Sequence, residues 1–340
     1  MNEKTRKPKS RAVAGIACLI LLCWTGAGIA GAQTTAPPAA EVLPRGVEKF
    51  IVKTRSKENA EVPFYVRVPD SYWLHSGSGG CRVLLSCPVF NGDGLKNLVG
   101  NSDLASVADE RGWFIVSPTF KQIGAETHDR KSSYYYPETF SGQAVLDALD
   151  LIKEKFPIST GGLLLHGFSG GAQFVHRFAL WAPDRVAAVV VNSSSWFDNP
   201  DERSQQVGWL VTIGESDPSY ENTLVFVGKL RAAGAFPILR SYLAMTHERD
   251  NRVPKLDIEF LKFYDDLTRD KLGAYMPPLI PPLPKPVIPS ANLPFVGDAQ
   301  EWRYYRNTPE TADGIPEEER IFLPSEPIAK LWGAEEQEAQ

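Results

Sequence analysis

The chain has 340 residues, with 36 Lys and Arg against 41 Asp and Glu, a net charge of −5, and 43% of it is hydrophobic. Five of the basic residues and one acidic residue fall in the first 32, so the remainder carries 31 basic against 40 acidic side chains, a net −9. That balance argues against nucleic acid and anionic membrane surfaces as partners, and the length suits one large domain with extensions.

The N-terminus reads as a targeting segment. Lys4, Arg6, Lys7, Lys9 and Arg11 form a basic region, an apolar run follows to Ala30, and Ala30-Gly31-Ala32 offers a cleavage site. Residues 1–32 are therefore expected to be a signal peptide, and the mature protein to be secreted or periplasmic. The alternative is an uncleaved anchor, because the run is just long enough to span a bilayer; no other membrane association is expected. Residues 33–47, rich in Thr, Ala and Pro, read as a flexible lead.

Two strands at 50–55 and 62–69 are expected to form a hairpin, followed by a third strand at 82–89 and a loop through Asn91-Gly92-Asp93-Gly94. Cys81 and Cys87 flank that third strand. An extended run of this length holds their Cα atoms about 20 Å apart, too far for a disulfide, so both thiols are expected to be free. A helix at 102–111, a strand at 113–119, a polar and aromatic loop at 121–136 and a helix at 138–156 come next. Strands at 162–168, 186–192, 208–214 and 238–244 then alternate with helices, of which those at 219–234 and 254–272 are the last two. Alternation of this kind implies a mostly parallel central sheet with helices on both faces, an α/β fold with its domain at 48–275. Beyond it, 276–289 is proline-dense and reads as extended chain. The remaining tail, to residue 340, carries Trp302, Tyr304, Tyr305, Phe322 and Trp332, too aromatic for pure disorder. It is expected to pack partly back on the domain as a strap.

The chemistry concentrates at Gly162-Leu-Leu-Leu-His166-Gly167-Phe168-Ser169-Gly170-Gly171-Ala172. An apolar strand meets a helix at a sharp turn centred on Ser169, in the pattern G-x-S-x-G. Such a turn presents the serine hydroxyl above the sheet, and the N–H of Gly170 at the helix start can face a developing oxyanion. A serine needs a base. Of His75, His128, His166, His176 and His247, only His247 lies well after Ser169, in a loop at the C-terminal end of a strand. For the carboxylate that orients it, Asp217 in the turn Glu215-Ser216-Asp217-Pro218 is preferred, with Glu215 and Asp198 as rivals. The second oxyanion donor is expected from Val89 or Phe90, since Pro88 has no N–H, and Asn91 could add a side-chain amide. Phe168, Tyr135 and Trp196 are the candidate substrate contacts. Tyr134, Tyr136 and Phe197 extend them into an aromatic platform, against which stands ordinary packing of long loops.

Over about 50–272 these residues and their order resemble the α/β-hydrolase family, and within it the secreted esterases similar to polyhydroxybutyrate depolymerases, feruloyl esterases and dienelactone hydrolases. The resemblance rests on Gly167-Phe-Ser169-Gly-Gly171-Ala172, on Ala182-Pro183-Asp184-Arg185-Val186, on Gly214-Glu-Ser-Asp217-Pro218 and on Thr246-His247-Glu248. It implies the α/β-hydrolase fold, Ser169, Asp217 and His247 as a catalytic triad, no metal, no organic cofactor, and a small-molecule or polymeric ester as substrate. The family commonly has His-Gly at the end of the third strand, where this chain has Ser86-Cys87-Pro88. Two other readings remain: a serine peptidase with the same triad, and a non-catalytic binding protein on the same fold, in which Ser169 would be buried or blocked.

Overall fold

The computed structural model describes residues 42–57, 59–74, 80–122, 128–248, 252–268 and 290–335. The expected signal peptide, most of the lead, the proline-dense segment and the last five residues lie outside them. Twelve strands are assigned among the described residues. Eight build the main sheet: β1 (Val47–Lys53), β2 (Glu61–Arg67), β3 (Val83–Cys87), β4 (Phe114–Pro118), β5 (Leu163–Phe168), β6 (Val186–Asn192), β7 (Gly208–Gly214) and β8 (Ile238–Tyr242). Four shorter ones follow: β9 (Phe295–Asp298), β10 (Arg303–Arg306), β11 (Arg320–Leu323) and β12 (Ala334–Glu335). The helices are α1 (Asp70–Leu74), α2 (Gly94–Gly100), α3 (Ser102–Arg111), α4 (Gly142–Lys155), α5 (Gly170–Trp181), α6 (Tyr220–Ala232), α7 (Val253–Leu267), α8 (Pro309–Gly314) and α9 (Glu326–Trp332). Among the described residues no helix is long and apolar enough to cross a membrane.

The main sheet runs β1-β2-β4-β3-β5-β6-β7-β8. β2 pairs antiparallel with both β1 and β4, and every pairing from β4 onward is parallel. This is the α/β-hydrolase fold. The sequence accounts for it directly. β3, β6 and β7 are buried at every position, as strands covered by helices on both faces must be, whereas edge strand β1 alternates. Helix α5 lies deep in the molecule, with ten of its twelve residues buried.

Three expectations at the level of elements need correction. The loop at 91–94 runs straight into α2, because the Asp93 carboxylate accepts the Lys96 N–H at 2.9 Å and caps it. The helix expected from 138 opens with a π turn, Pro137–Ser141, before α4 begins. The tail is not a strap. Its residues 290–335 form a four-stranded sheet, β11-β9-β10-β12, with α8 and α9. Phe295, Val296, Tyr304, Ile321, Leu323, Ile328 and Trp332 are buried, which repays the ordering of the chain. The Trp332 indole N–H donates to the Leu239 carbonyl of β8 at 2.6 Å, so the small sheet is joined to the large one.

Candidate active site

Ser169 sits between β5 and α5 with φ 55° and ψ −117°, a region that side-chain-bearing residues rarely occupy. Its own N–H donates to the Asn192 carbonyl of β6 at 2.9 Å, and its carbonyl accepts the Gln173 N–H at 3.0 Å. Glycine is required at the two positions that follow it. A Cβ at Gly171 would overlap the Cys87 carbonyl at the end of β3, and one at Gly170 would overlap the Phe90 amide nitrogen. The helix start is thereby allowed to lie directly against the loop after β3.

His247 reaches the serine from the loop after β8. Its Nε2 lies 2.9 Å from Ser169 Oγ and its Nδ1 lies 2.7 Å from Asp217 Oδ2. Asp217 is buried at the tip of β7, and its other oxygen accepts the Ser219 N–H at 2.8 Å. The acid turn and the histidine loop are tied by Ser216 N–H donating to the Met245 carbonyl at 3.0 Å, and Ala244, at φ 59°, turns the chain between β8 and the histidine. The rivals for the acid are engaged elsewhere. Asp198 accepts from Arg177 and Arg130 at 3.0 Å each, and Glu215 accepts the Ser241 hydroxyl at 2.8 Å.

Beside Gly170, where a second oxyanion donor is expected, stands the amide of Phe90. The Phe90 amide abuts Gly170, and among the described residues no acceptor takes either N–H. The turn that presents Phe90 closes through the Gly92 N–H on the Val89 carbonyl at 2.8 Å, with Asn91 at φ 51°. Val89 therefore shapes the turn through its carbonyl, and Phe90 is the residue set beside Gly170. The Asn91 side chain turns to Gln122, accepting its N–H through Oδ1 at 2.6 Å and donating through Nδ2 to its carbonyl at 3.5 Å. Behind the turn, the Asn97 amide of α2 donates to the Ser86 carbonyl and to the Ser86 and Ser117 hydroxyls at 3.0–3.1 Å, pinning α2 to β3 and β4.

The substrate contacts expected from the sequence divide. Phe168 packs its ring 5.4 Å from the His247 imidazole. Trp196 is 55% exposed and meets His128 at 4.1 Å between ring centroids. Tyr135 is buried, as are Tyr134 and Tyr136, so the three tyrosines form packing and not an open platform. Tyr134 stacks on Phe120 at 5.5 Å, and Tyr136 lies between the Arg130 and Arg177 guanidinium groups, each 4.6 Å from its ring. Phe197 is drawn inward onto Phe226, stacked at 4.2 Å. Cys81 and Cys87 are both free, and burial pushes the Cys87 thiol far above its ordinary pKa.

A polar cluster behind the serine was not anticipated. Asn192 Nδ2 donates to Asp257 Oδ2 at 2.7 Å, His166 Nε2 lies 3.2 Å from the same oxygen, and the Thr212 hydroxyl donates to Asn192 Oδ1 at 2.6 Å. A lone histidine inside the apolar run Leu163–Phe168 was the available signal, two positions before Phe168 and so on the same face of the strand. Asn192-Ser193-Ser194 matches the N-x-S pattern of glycosylation acceptors, but Asn192 is buried within this cluster. Among the described residues no group of three or more His, Cys, Asp or Glu is placed to hold a metal ion.

Several solved structures are similar to this chain. An S-formylglutathione hydrolase from Staphylococcus aureus matches at 15% identity over 63% of this chain and 99% of its own, with a TM-score of 0.48. A ferulic acid esterase matches at 14% identity over 65% of this chain and 94% of its own, also at 0.48. A dipeptidyl peptidase 4 from Porphyromonas gingivalis matches at 17% identity over 65% of this chain and 35% of its own, at 0.47. No family model and no curated protein sequence matches the chain.

Chemically, the arrangement supplies a base in contact with a hydroxyl, a buried carboxylate behind the base, and two unpaired N–H groups side by side. These are the parts that acyl transfer requires.

Proposed function

We propose that the protein is a serine hydrolase that cleaves carboxylic esters through an acyl-enzyme intermediate. The observation that carries this reading is the single imidazole bridging Ser169 Oγ at 2.9 Å and Asp217 Oδ2 at 2.7 Å. Nδ1–H donates to Asp217, which leaves Nε2 as the acceptor of the serine proton. Ser169 attacks the ester carbonyl, its proton passes to Nε2, and the carbonyl oxygen takes up negative charge. The N–H groups of Gly170 and Phe90 stabilise that charge. His247 then returns the proton to the departing alkoxide, and water, deprotonated by the same nitrogen, releases the acid. Asp217 stabilises the imidazolium between the two proton transfers.

The surroundings favour an apolar or aromatic acyl group. Ring contacts run from Phe90 to Tyr135 at 6.1 Å, on to His128 at 6.1 Å, and to Trp196 at 4.1 Å. Phe90 and Trp196 expose 42% and 55% of their surfaces. Burial, and then the charge of Arg177, lower the pKa of His128, so it lines this path as a neutral ring. We place the mature protein outside the cytoplasm on its N-terminal pattern alone, which N-terminal sequencing of the exported form tests.

A fluorophosphonate probe and p-nitrophenyl acetate test the chemistry. Wild type is labelled and turns over; Ser169→Ala loses both, and His247→Ala loses turnover. A folded wild type that neither labels nor turns over would end the hydrolase reading and leave a binding protein. Peptide p-nitroanilides cleaved in preference to esters would make it a peptidase.

A further inference from the structure

Beside the catalytic histidine lies a cavity of about 180 Å³ with no part in the mechanism above. Its walls come from the strand tips (His166, Phe168, Asn192), from the first turn of α3 and from the first turns of α7, where Asp257 stands. Phe168 forms part of this wall and also packs on His247. We propose that this cavity binds a primary alkylammonium group.

The inference starts from Asp257. The residue is 1% exposed, so its carboxylate has left water, and a buried carboxylate oxygen without a donor costs free energy. Oδ2 is satisfied by Asn192 and His166, while Oδ1 is buried with no partner among the described groups. Ser193 Oγ, on the same wall, is likewise buried and unpartnered. If His166 donates Nε2–H to Asp257, its Nδ1 is left as a further acceptor. Asp257 Oδ1 is thus an acceptor-only atom without a donor, the Ser193 oxygen on the same wall can accept as well, and an ammonium group brings three N–H donors. Charge points the same way. Asp103 and Glu248 also line the cavity, and among the described residues no Lys or Arg does. The starts of α3 and α7 would favour an anion, but Asp103 and Asp257 already place carboxylates in or beside their first turns. A donor-rich cation meets both the unpaired oxygen and the surplus of negative charge, and Leu104, Met245 and Val253 provide apolar contact for a short alkyl chain.

This proposal does not depend on ester hydrolysis, and binding is measured on Ser169→Ala as well as on wild type. Isothermal titration calorimetry of the full chain at pH 7 compares n-butylammonium chloride with 1-butanol and sodium butyrate, which match it in length and differ in charge. The expected result is saturable binding of n-butylammonium, equal in the two proteins and roughly tenfold or more tighter than 1-butanol, with butyrate not bound. Asp257→Asn, which removes the charge and keeps the shape, weakens binding by about tenfold or more. Because Asp257 is buried and its variant could misfold, Ser102→Trp supplies a second arm. Ser102 is exposed on the cavity wall, and the indole fills the space while leaving the core alone. Equal binding of the amine and the alcohol, n-butylammonium binding that survives Ser102→Trp, or no binding to a folded protein would overturn the proposal; the last result would mean that the cavity holds water only.

Discussion

Gly170 carries two duties that no other residue type can combine. Its N–H is free to meet an oxyanion, and its missing side chain lets the Phe90 amide lie against it. Adding one methyl group in Gly170→Ala pushes the oxyanion loop away, and kcat for p-nitrophenyl acetate is expected to fall about 100- to 1,000-fold with the circular dichroism spectrum unchanged. Unaltered kcat would show that Phe90 is not the second donor. His176, nearly two turns further into α5, is a different case. It is fully buried, its Nδ1 lies 2.8 Å from the Ala172 carbonyl, and its Nε2 accepts the Asp198 N–H at 3.3 Å. Burial first, and the Arg177 charge second, hold its pKa well below the ordinary 6.5. The native state therefore stays neutral where the unfolded chain takes up a proton. Stability contributed by this residue is complete above pH 6.5 and is lost as the pH falls below it. Urea denaturation at pH 7.5, 6.0 and 5.0 should show a decline in wild type that is smaller in His176→Leu; equal declines would assign the pH dependence to other groups. At this scale the serine turn and a single candidate histidine were legible, because a turn motif and the order along the chain limit the choices, whereas three acids stayed open until the structure placed Asp217 at 2.7 Å from His247. Tyr135 was misread as an open contact because sequence shows that a residue is aromatic but not which way a loop folds. The tyrosines at 134–136 turn inward onto Phe120, Arg130 and Arg177.

Helix α7 shows how one element is fixed from both ends. Near its C-terminus the Asp265 carboxylate accepts Arg82 Nε–H at 2.8 Å and the Trp113 indole N–H at 2.8 Å, and all three residues are buried. Arg82 also donates to the Gly162 carbonyl just before β5. Near its N-terminus Asp257 reaches the strand tips through Asn192 and His166. Removing the carboxylate in Asp265→Ala leaves a buried guanidinium without its countercharge, and thermal or urea unfolding should register a loss of about 3–5 kcal/mol. A loss below about 1 kcal/mol would mean that the arginine finds water instead. The existence of α7 was legible from its apolar spacing. Its partners were not, because 183 residues separate Arg82 from Asp265 and nothing local marks the pair. The π turn before α4 escaped for a similar reason. Its extra residue accommodates the buried 133–136 turn, where the Ser141 hydroxyl donates to the Tyr134 carbonyl at 2.8 Å.

At the scale of the molecule, the small C-terminal sheet belongs to the same compact unit as the hydrolase fold. Trp332 is completely buried against β8, Phe322 packs edge-on to Phe236 at 6.1 Å, and Arg231 of α6 donates to the Glu318 and Arg320 carbonyls. The tail thus covers the β8 side of the main sheet. Trp332→Ala should cost about 3–5 kcal/mol, the range for deleting a large buried aromatic side chain. A chain ended after Thr268 should lose solubility, since apolar surface on β8 and α7 would be left bare. A truncated protein that stays soluble and keeps the wild-type melting temperature would show the tail to be an independent appendage.

The sequence by itself determined the order along the chain of the eight main strands, the parallel sheet and the nucleophile turn, because burial on two faces and close backbone approach each leave a local pattern of residue types. It also narrowed the base to one histidine, since only His247 follows Ser169 at a strand end. Tertiary structure alone brought Asp217, and not its rivals, to hydrogen-bond distance of His247, set the Phe90 amide against Gly170, turned the three tyrosines inward, folded the tail into a sheet and enclosed Asp257 in a cavity. Each of these depends on groups far apart in the chain meeting at hydrogen-bond distance, and such meetings are set by packing that no local pattern records.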